Sequence, residues 1–284
     1  MNYYFGSVPP TSLEGQWILE NSGCVLHSQY RERNLISQWI KLRHETEYSP
    51  RIFVDSGAYS AHTMGVDINI DDYIKYLNTI IDDIELCAAL DVIGDAEKSW
   101  ENYLYMRERV SQPNKVLYTF HFEEDFKYLE RAVEYFIDNN IPYMAIGGVA
   151  LIKNPAQRVW FLDEVQNRLK RTNIKIHLFG VTDYKVVSQI KCESVDSTQH
   201  IMAGAFGKII LPKGDGFKVL RPDKIKGTPD EKDLTNMFKS HNVTIDELID
   251  SRNSRVYFNT QILSENINSF ICSDKTVASK TDLW

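Results

Sequence analysis

The chain has no excess of positive charge and no long apolar run, and each absence excludes a class of protein. Its 284 residues carry a formal charge of −7, whereas proteins that coat nucleic acid nonspecifically need a surplus of Lys and Arg. Any contact with nucleic acid must therefore be local. No uncharged apolar run approaches about 18 residues, the minimum for a membrane helix, and residues 1–6 do not form a basic leader. We expect a cytoplasmic protein without a membrane partner.

Paired cysteines and a dinucleotide-binding motif are absent as well. No Cys-x-x-Cys occurs, and no Gly-x-Gly-x-x-Gly follows the first predicted strand. We therefore expect neither a metal site nor a redox cofactor. The cysteines are far apart, and three of them lie in apolar segments, which predicts buried free thiols in a reducing compartment. They are Cys24, Cys87, Cys192 and Cys272.

Short apolar runs alternate with amphipathic stretches along most of the chain. Apolar residues at helical spacing, clearest over residues 70–84, predict helices between the runs. Near-continuous apolar runs such as Met144-Ala145-Ile146 are typical of parallel strands buried on both faces. Strands are predicted at residues 24–28, 51–55, 86–92, 115–121, 143–149, 174–181 and 192–196.

An eighth strand, at residues 2–8 or 207–211, would close this sheet into a TIM-like (β/α)8 barrel, which we expect over residues 1–212. The alternative is an open, doubly wound sheet. Residues 213–284 are expected to form an appendage of a basic loop followed by helices. Within it, Thr244-Ile245-Asp246-Glu247 has the form of a capping box, and residues 255–270 form a further mixed segment.

Polar and glycine residues stand at the predicted C-terminal ends of the strands, where active sites of parallel barrels gather. Asp55 and Asp196 each end an apolar run and precede small hydroxyl residues. Each Asp could instead start a turn or cap the next helix. The other candidates are Ser56, Tyr59, Asp91, His121, Gly147, Gly148, Phe179 and Gly180, a set that suits a pocket for a flat, hydrogen-bonding ring.

These segments resemble, in order, the motifs of the tRNA-guanine transglycosylase superfamily, and most closely its phage and bacterial members that place 7-deazaguanines in DNA. The resemblance covers roughly residues 50 to 200. The matching segments are Asp55-Ser56-Gly57-Ala58-Tyr59, Leu90-Asp91, Ile146-Gly147-Gly148-Val149, His177-Leu178-Phe179-Gly180 and Val195-Asp196-Ser197.

The resemblance implies that Asp196 is a nucleophile that expels guanine from a nucleoside and forms a covalent glycosyl-enzyme. It implies that Asp55 is the general acid and base for the departing and incoming bases. Asp91 and the main chain of Gly147 and Gly148 would bind the base. His121 stands where the family usually has Gln, and it could equally be a core histidine.

Tyr59 and Phe179 would hold the base between their rings, although aromatic residues at strand ends often only pack. The partners implied are DNA and a free 7-deazaguanine base, with base flipping or a single-stranded substrate. The basic loop could contact phosphate or be merely solvated. Its cationic residues are Lys213, Lys218, Arg221, Lys224 and Lys226, and its acidic ones are Asp215 and Asp223.

The chain departs from the tRNA-modifying members in two places. It lacks their Cys-x-Cys-x-x-Cys zinc segment, and Gln199-His200 stands where they have Leu-Pro-Thr-Arg. Both departures favour DNA as the substrate. The same exchange on tRNA, a purine nucleoside or nucleotide glycosidase that uses water, and an inactive barrel that only binds a purine remain as alternatives.

Overall fold

Parallel strands with helices between them build the larger part of the structure, a computed structural model that describes residues 1–21, 23–181, 184–187, 190, 192–214 and 216–277. One sheet has the strand order β5-β4-β3-β2-β1-β9-β8-β7-β6. Its strands are β1 (Asn2–Gly6), β2 (Cys24–Ser28), β3 (Arg51–Asp55), β4 (Leu86–Ala88), β5 (Val116–Leu117), β6 (Thr119–His121), β7 (Tyr143–Gly147), β8 (Lys175–Leu178) and β9 (Ser194–Ser197).

The sheet closes at Tyr118, which separates β5 from β6. β5 pairs with β4 on one side, and β6 pairs with β7 on the other. The Tyr118 carbonyl accepts a hydrogen bond of 2.8 Å from Ala145 N in β7. The two end strands of the sheet are thus consecutive pieces of one extended segment, and the sheet forms the TIM-like α/β barrel that the alternation predicts.

The helices follow the strands in sequence, as expected for right-handed crossovers that cover a parallel barrel. Helix α4 begins at an Asn69 side chain that accepts from Asp72 N, and α5 begins at Asp95, which accepts from Lys98 N. The helices of the barrel are α1 (Leu13–Asn21), α2 (Gln29–Glu45), α3 (Ala58–Thr63), α4 (Ile70–Ile80), α5 (Ala96–Arg109), α6 (Phe126–Asp138), α7 (Pro155–Leu169), α8 (Tyr184–Val187) and α9 (Gln199–Ala205).

The barrel strands alternate strictly between two buried environments. Tyr4, Phe53 and Leu117 belong to a cluster inside the barrel, whereas their neighbours along the strands, such as Phe5 and Ile52, pack among the helices. This two-residue period decides which side chains reach the interior at the strand ends. The interior carries the apolar and aromatic side chains Tyr4, Phe53 and Leu117, and at β8 and β9 also the buried polar side chains His177 and Ser194.

The structure decides between the alternatives for the eighth strand. β1 pairs in parallel with both β2 and β9, so the N-terminal segment completes the barrel. The alternative strand at 207–211 was wrong, because β10 (Ile209–Lys213) pairs antiparallel with β11 (Gly216–Leu220) in a separate hairpin. β4 is also shorter than predicted: it ends at Ala88, and Asn102 and Ser99 of α5 hydrogen-bond the following loop at Leu90 and Val92.

Helices form most of the remaining C-terminal part, α10 (Glu231–Ser240), α11 (Ile245–Asp250) and α12 (Arg252–Val277). The capping box at Thr244 and Glu247 is present, as predicted. Two predictions were wrong here. The basic segment is largely the β10-β11 hairpin rather than a loop, and residues 255–270 lie within one helix. Asp215 lies outside the described residues.

Polar side chains fasten α12 to the barrel. The buried Asn259 side chain accepts from Ile210 N at 2.7 Å and donates to the carbonyls of His200 and Lys208 at 3.2 and 3.3 Å. Arg255 donates to the carbonyl of Gly204 in α9 at 3.0 Å. These bonds satisfy main-chain groups that would otherwise be buried without partners.

Among the described residues, Cys24, Cys87 and Cys192 form no disulfide; Cys24 and Cys87 are buried, as predicted, whereas Cys192 is half-buried. Cys272 lies outside the described side chains. Within the described residues, no helix combines the length and the apolar character needed to cross a membrane.

The barrel interior gives a test of this packing. Phe53 is fully buried and contacts the rings of Tyr4, His177 and Phe179. We expect Phe53→Ala to lower the free energy of unfolding by about 3–5 kcal/mol, because it leaves a cavity in a close-packed interior. Urea denaturation measures this. Phe206, which is 67% exposed, is the matched control, and Phe206→Ala should change stability by less than about 0.5 kcal/mol. Equal losses in both variants would contradict the described packing.

Candidate active site

Several predicted site residues lie two residues after an interior residue of the same strand, so their side chains point to the same side of the sheet. Asp55 follows Phe53 in β3, and Asp196 follows Ser194 in β9. His121 and Gly147 likewise end β6 and β7 and face each other in register. Because the strands are parallel, these residues meet at the same C-terminal end of the barrel.

All of the predicted catalytic and base-binding residues line a single cavity of about 710 Å³ at this end. That volume suits a ligand the size of a nucleobase with part of its sugar. The predicted residues in its lining are Asp55, Ser56, Tyr59, Asp91, His121, Gly147, Gly148, Phe179, Gly180 and Asp196.

Asp55 has an environment that favours its protonated form. Burial raises the pKa of Asp55, the carboxylate of Asp91 raises it further, and a hydrogen bond of 3.0 Å from Gly57 N only partly offsets these effects. Asp196 adds a smaller repulsion, and the resulting pKa is about 7. Gly57 has a φ of 80°, which lets its N–H turn back toward the carboxylate. Asp55 can therefore exchange a proton near neutral pH.

Asp196 is held differently. It is 8% exposed, and its Oδ1 accepts hydrogen bonds from Gly180 N at 2.9 Å and from His177 Nε2 at 3.2 Å. Donors of this kind stabilise an ionised carboxylate. Gly180, predicted as a substrate-binding residue, thus donates its N–H to Asp196.

His121 lies between two carboxylates. Its Nε2 is 3.4 Å from Asp91 Oδ2, and its Nδ1 is 3.4 Å from Glu124 Oε1. Burial alone would lower the pKa of His121, but Asp91 and Glu124 together outweigh it and raise the pKa to about 10. The side chain is thus an imidazolium at neutral pH, which is not the environment of an apolar core histidine.

Gly147, which ends β7, and Gly148, which follows it, make room for protein groups. A Cβ on Gly147 would lie 2.4 Å from Cδ2 of His121, so the missing side chain accommodates the imidazolium ring. Gly148 has a φ of 76°, and a Cβ there would approach Phe122 at 3.2 Å. From the sequence, the main chain of Gly147 and Gly148 was expected to contact a bound base. The structure gives the space beside Gly147 to His121, while both glycines still line the cavity.

The two predicted aromatic residues lie in different environments. Phe179 packs edge-on against His177, with ring centroids 4.6 Å apart, above the barrel interior. Tyr59 is 58% exposed at the mouth of the cavity. Ser56 is buried, its hydroxyl accepts from Ala58 N, and its carbonyl accepts from the Gln29 side chain at 2.9 Å. Only the Tyr59 ring is thus free of neighbouring ring contacts among the described residues.

Two functional candidates were not predicted, Glu124 and His177. Glu124 also accepts from His121 N at 3.0 Å, and its position three residues after His121 was the available signal. His177 lies in one of the matched motifs, but only the pairing of β8 with β9 brings it to Asp196.

The cavity is strongly acidic. Asp55, Asp91, Asp95, Glu123, Glu124, Asp125 and Asp196 line it, and within the described part of the chain no Lys or Arg side chain does. Such a field repels phosphate and favours a neutral or cationic ligand. Although the carboxylates are numerous, the described residues contain no group of three or more His, Cys, Asp or Glu side chains placed to share a metal ion.

The predicted phosphate contacts lie elsewhere. Lys213, Lys218, Arg221, Lys224 and Lys226 are all exposed and line no part of the cavity. Arg221 pairs with Asp223 at 3.0 Å, and Lys226 pairs with Asp246 at 2.8 Å. These exposed pairs add little stability and reduce the charge available to a polyanion.

With this geometry in hand, the chain can be compared with known proteins. No protein-family model and no curated protein matches it. Among solved structures, a putative fructose-1,6-biphosphate aldolase from Coccidioides immitis is 9% identical, with a TM-score of 0.51 over 94% of this chain and 91% of that one. A type I 3-dehydroquinate dehydratase from Clostridium difficile is 10% identical, with a TM-score of 0.43 over 69% and 83%. The aldolase similarity shows a shared barrel fold.

The raised pKa of Asp55 predicts a stability that depends on pH. As the pH rises from about 4 to 7, Asp55 ionises in the unfolded chain but stays protonated in the folded protein, so the free energy of unfolding falls. Asp55→Asn cannot ionise. We therefore expect its stability relative to the wild type to grow by about 1–3 kcal/mol between pH 5 and pH 8, measured by urea denaturation.

The exposed Asp67, which lies outside this cavity, supplies the control variant. Asp67→Asn should follow the wild-type pH dependence. If the difference between Asp55→Asn and the wild type is the same at both pH values, the described environment of Asp55 is wrong.

Proposed function

We propose that the protein is a transglycosylase that exchanges guanine in DNA for a free 7-deazaguanine base through a covalent intermediate on Asp196. The observation that carries this proposal is the placement of Asp55 and Asp196 in one cavity, where burial and neighbouring carboxylates raise the pKa of Asp55 to about 7 and Asp196 accepts two hydrogen bonds. A nucleophile must stay ionised, while an acid and base must exchange a proton near the working pH. Two carboxylates with this division of labour are characteristic of retaining glycosyl transfer.

In the first half of the reaction, an oxygen of Asp196 bonds to the anomeric carbon of the target nucleotide. The bond from that carbon to the guanine ring nitrogen breaks, and its electron pair stays with the base. Protonated Asp55 gives its proton to the departing guanine. The sugar is then held on Asp196 as an ester, which divides one difficult displacement into two easier steps.

In the second half, the incoming deazaguanine occupies the vacated place. Its ring N–H gives a proton to ionised Asp55, and the ring nitrogen bonds to the anomeric carbon. The bond to Asp196 breaks, which regenerates the carboxylate. Asp55 is protonated again, so the cycle needs no other reactant.

We assign recognition of the base to Asp91 and its neighbour His121. Asp91 accepts N–H groups of the guanine ring edge, because an ionised carboxylate presents only acceptors. His121 lies beside Asp91 as an imidazolium. A base that lacks those donors would leave Asp91 without the hydrogen bonds that guanine supplies, which is a basis for rejection.

The charge of the cavity determines how a polynucleotide would bind. Phosphates are repelled from the acidic interior, so only the base and its sugar enter, as in base flipping or binding of a single strand. The phosphates then lie at the rim. Lys213, Lys218 and Lys224 of the exposed basic segment remain candidate contacts of this kind.

The decisive experiment supplies DNA or tRNA with labelled guanine, with and without a 7-deazaguanine. We expect guanine release from DNA that requires the deazaguanine. Release from tRNA alone would move the activity to RNA. Release without any deazaguanine would indicate a glycosidase that uses water, and no release from either polymer would indicate a binding protein.

The nucleophile is tested by trapping. In the wild type, DNA incubated without an incoming base should give a covalent enzyme-DNA adduct on a denaturing gel. Asp196→Ala should give none and should exchange bases at least about 1,000-fold more slowly, because the covalent route is lost. Undiminished turnover in this variant would refute the role of Asp196.

The acid is tested by pH. Because the pKa of Asp55 is about 7, the fraction that can protonate guanine falls above neutrality. We expect the single-turnover rate of guanine release to fall about tenfold for each pH unit above pH 8. A rate independent of pH from 6 to 9 would remove Asp55 from this role.

A further inference from the structure

A hydrogen-bonded chain of side chains runs from the interior of the barrel to Asp196. The Tyr143 hydroxyl contacts the Ser194 hydroxyl. Ser194 Oγ lies 2.7 Å from Nδ1 of His177, and Nε2 of the same ring lies 3.2 Å from Asp196 Oδ1. Both His177 and Ser194 are fully buried. This series of hydrogen bonds thus ends on Asp196, the side chain assigned as the nucleophile.

The direction of these bonds follows from what each group can donate. An ionised Asp196 only accepts, so Nε2 of His177 carries the hydrogen. In the tautomer with its hydrogen on Nε2, Nδ1 accepts from the Ser194 hydroxyl, and the Ser194 oxygen accepts from Tyr143. Burial raises the pKa of Tyr143, so its phenol stays protonated and serves as the donor. Every hydrogen in the chain therefore points toward Asp196.

The two donors on Asp196 share a single oxygen. Gly180 N and His177 Nε2 both bind Oδ1, and the described residues place no hydrogen-bond donor on Oδ2. A carboxylate fixed by two donors on one oxygen cannot rotate freely. Its other oxygen keeps its lone pairs, and Asp196 lines the cavity.

We infer that His177 is a positioning residue, which, with Gly180, fixes Asp196 so that Oδ2 is the atom that attacks the sugar. This inference rests on the proposed function. Ser194 and Tyr143 in turn fix the tautomer of His177, as outer hydrogen-bond partners do for functional histidines. His177 does not touch the substrate and acts only through Asp196.

The kinetic test compares two substitutions of His177. His177→Leu removes the donor, and we expect the rate of enzyme-DNA adduct formation to fall about 100-fold, as for a slightly misplaced reacting group. The dissociation constant for DNA should not change. His177→Gln can place an amide N–H near the position of Nε2, and it should restore the rate to within about tenfold of the wild type.

A matched control tests whether the loss of any buried histidine has the same effect. His200 is fully buried against Phe5, with ring centroids 5.2 Å apart, and among the described residues neither of its ring nitrogens has a hydrogen-bond partner. His200→Leu makes the same chemical change outside the cavity. It should form the adduct at the wild-type rate, with circular dichroism confirming that each variant is folded.

The outcomes separate this inference from the proposed function. If the wild type forms the adduct and His177→Leu forms it equally fast, His177 does not position Asp196, while the transglycosylase proposal stands. If His177→Gln is as slow as His177→Leu, the donated hydrogen bond is not what matters, and the inference also fails. If the wild type forms no adduct, the proposed function fails.

A spectroscopic measurement tests the positioning chain independently of activity. In protein labelled with ¹⁵N-histidine, the signals of His177 are identified by their loss in His177→Gln. We expect a neutral ring with the hydrogen on Nε2 and an unprotonated Nδ1 at neutral pH. A ring protonated on Nδ1, alone or together with Nε2, would overturn the proposed direction of the chain.

Discussion

Closure of the sheet is the constraint on which the site depends. Side chains of a strand alternate between its faces, and in a closed barrel one face becomes an interior that all strands share. The segment 116–121 pairs with β4 through its first residues and with β7 through its later ones, and this converts the sheet into that ring. Asp55 and Asp196 are more than a hundred residues apart in sequence, and they meet because each is one strand period beyond an interior residue.

In the cavity, three aspartates, Asp55, Asp91 and Asp196, lie in different electrostatic environments. Asp55 accepts a hydrogen bond from Gly57 N but is buried beside other carboxylates, so it holds its proton to near neutrality. Asp196 has two donors on one oxygen, and Asp91 faces an imidazolium that a second carboxylate, Glu124, helps to keep charged. Neighbouring carboxylates make ionisation costly, and Asp55 is the carboxyl group whose pKa they raise.

The period of the apolar residues was enough to predict the barrel and the strand ends at Asp55 and His121, whereas β7 ends two residues before the predicted position and β9 one residue after it. It could not predict contacts made across strands. Gly147 was interpreted as space for a ligand, because only the register of β6 with β7 reveals that the His121 ring fills it. The hairpin at 209–220 was missed for a related reason: an apolar run such as Ile209-Ile210-Leu211 has the composition of a barrel strand, and only its partner shows that it pairs antiparallel outside the ring.

Hydrogen bonds from the Asn259 side chain attach the C-terminal helix α12 to the barrel. Its amide joins the main chain at His200 and Lys208 to that of Ile210, and the first of these positions lies four residues after Asp196. Residues 258–264 of α12 are all buried, and a substitution there that shifts the helix would also shift the main chain of α9, which begins three residues after Asp196. If Asp196 is the nucleophile proposed above, such substitutions would change the rate of exchange although no described side chain of α12 lines the cavity.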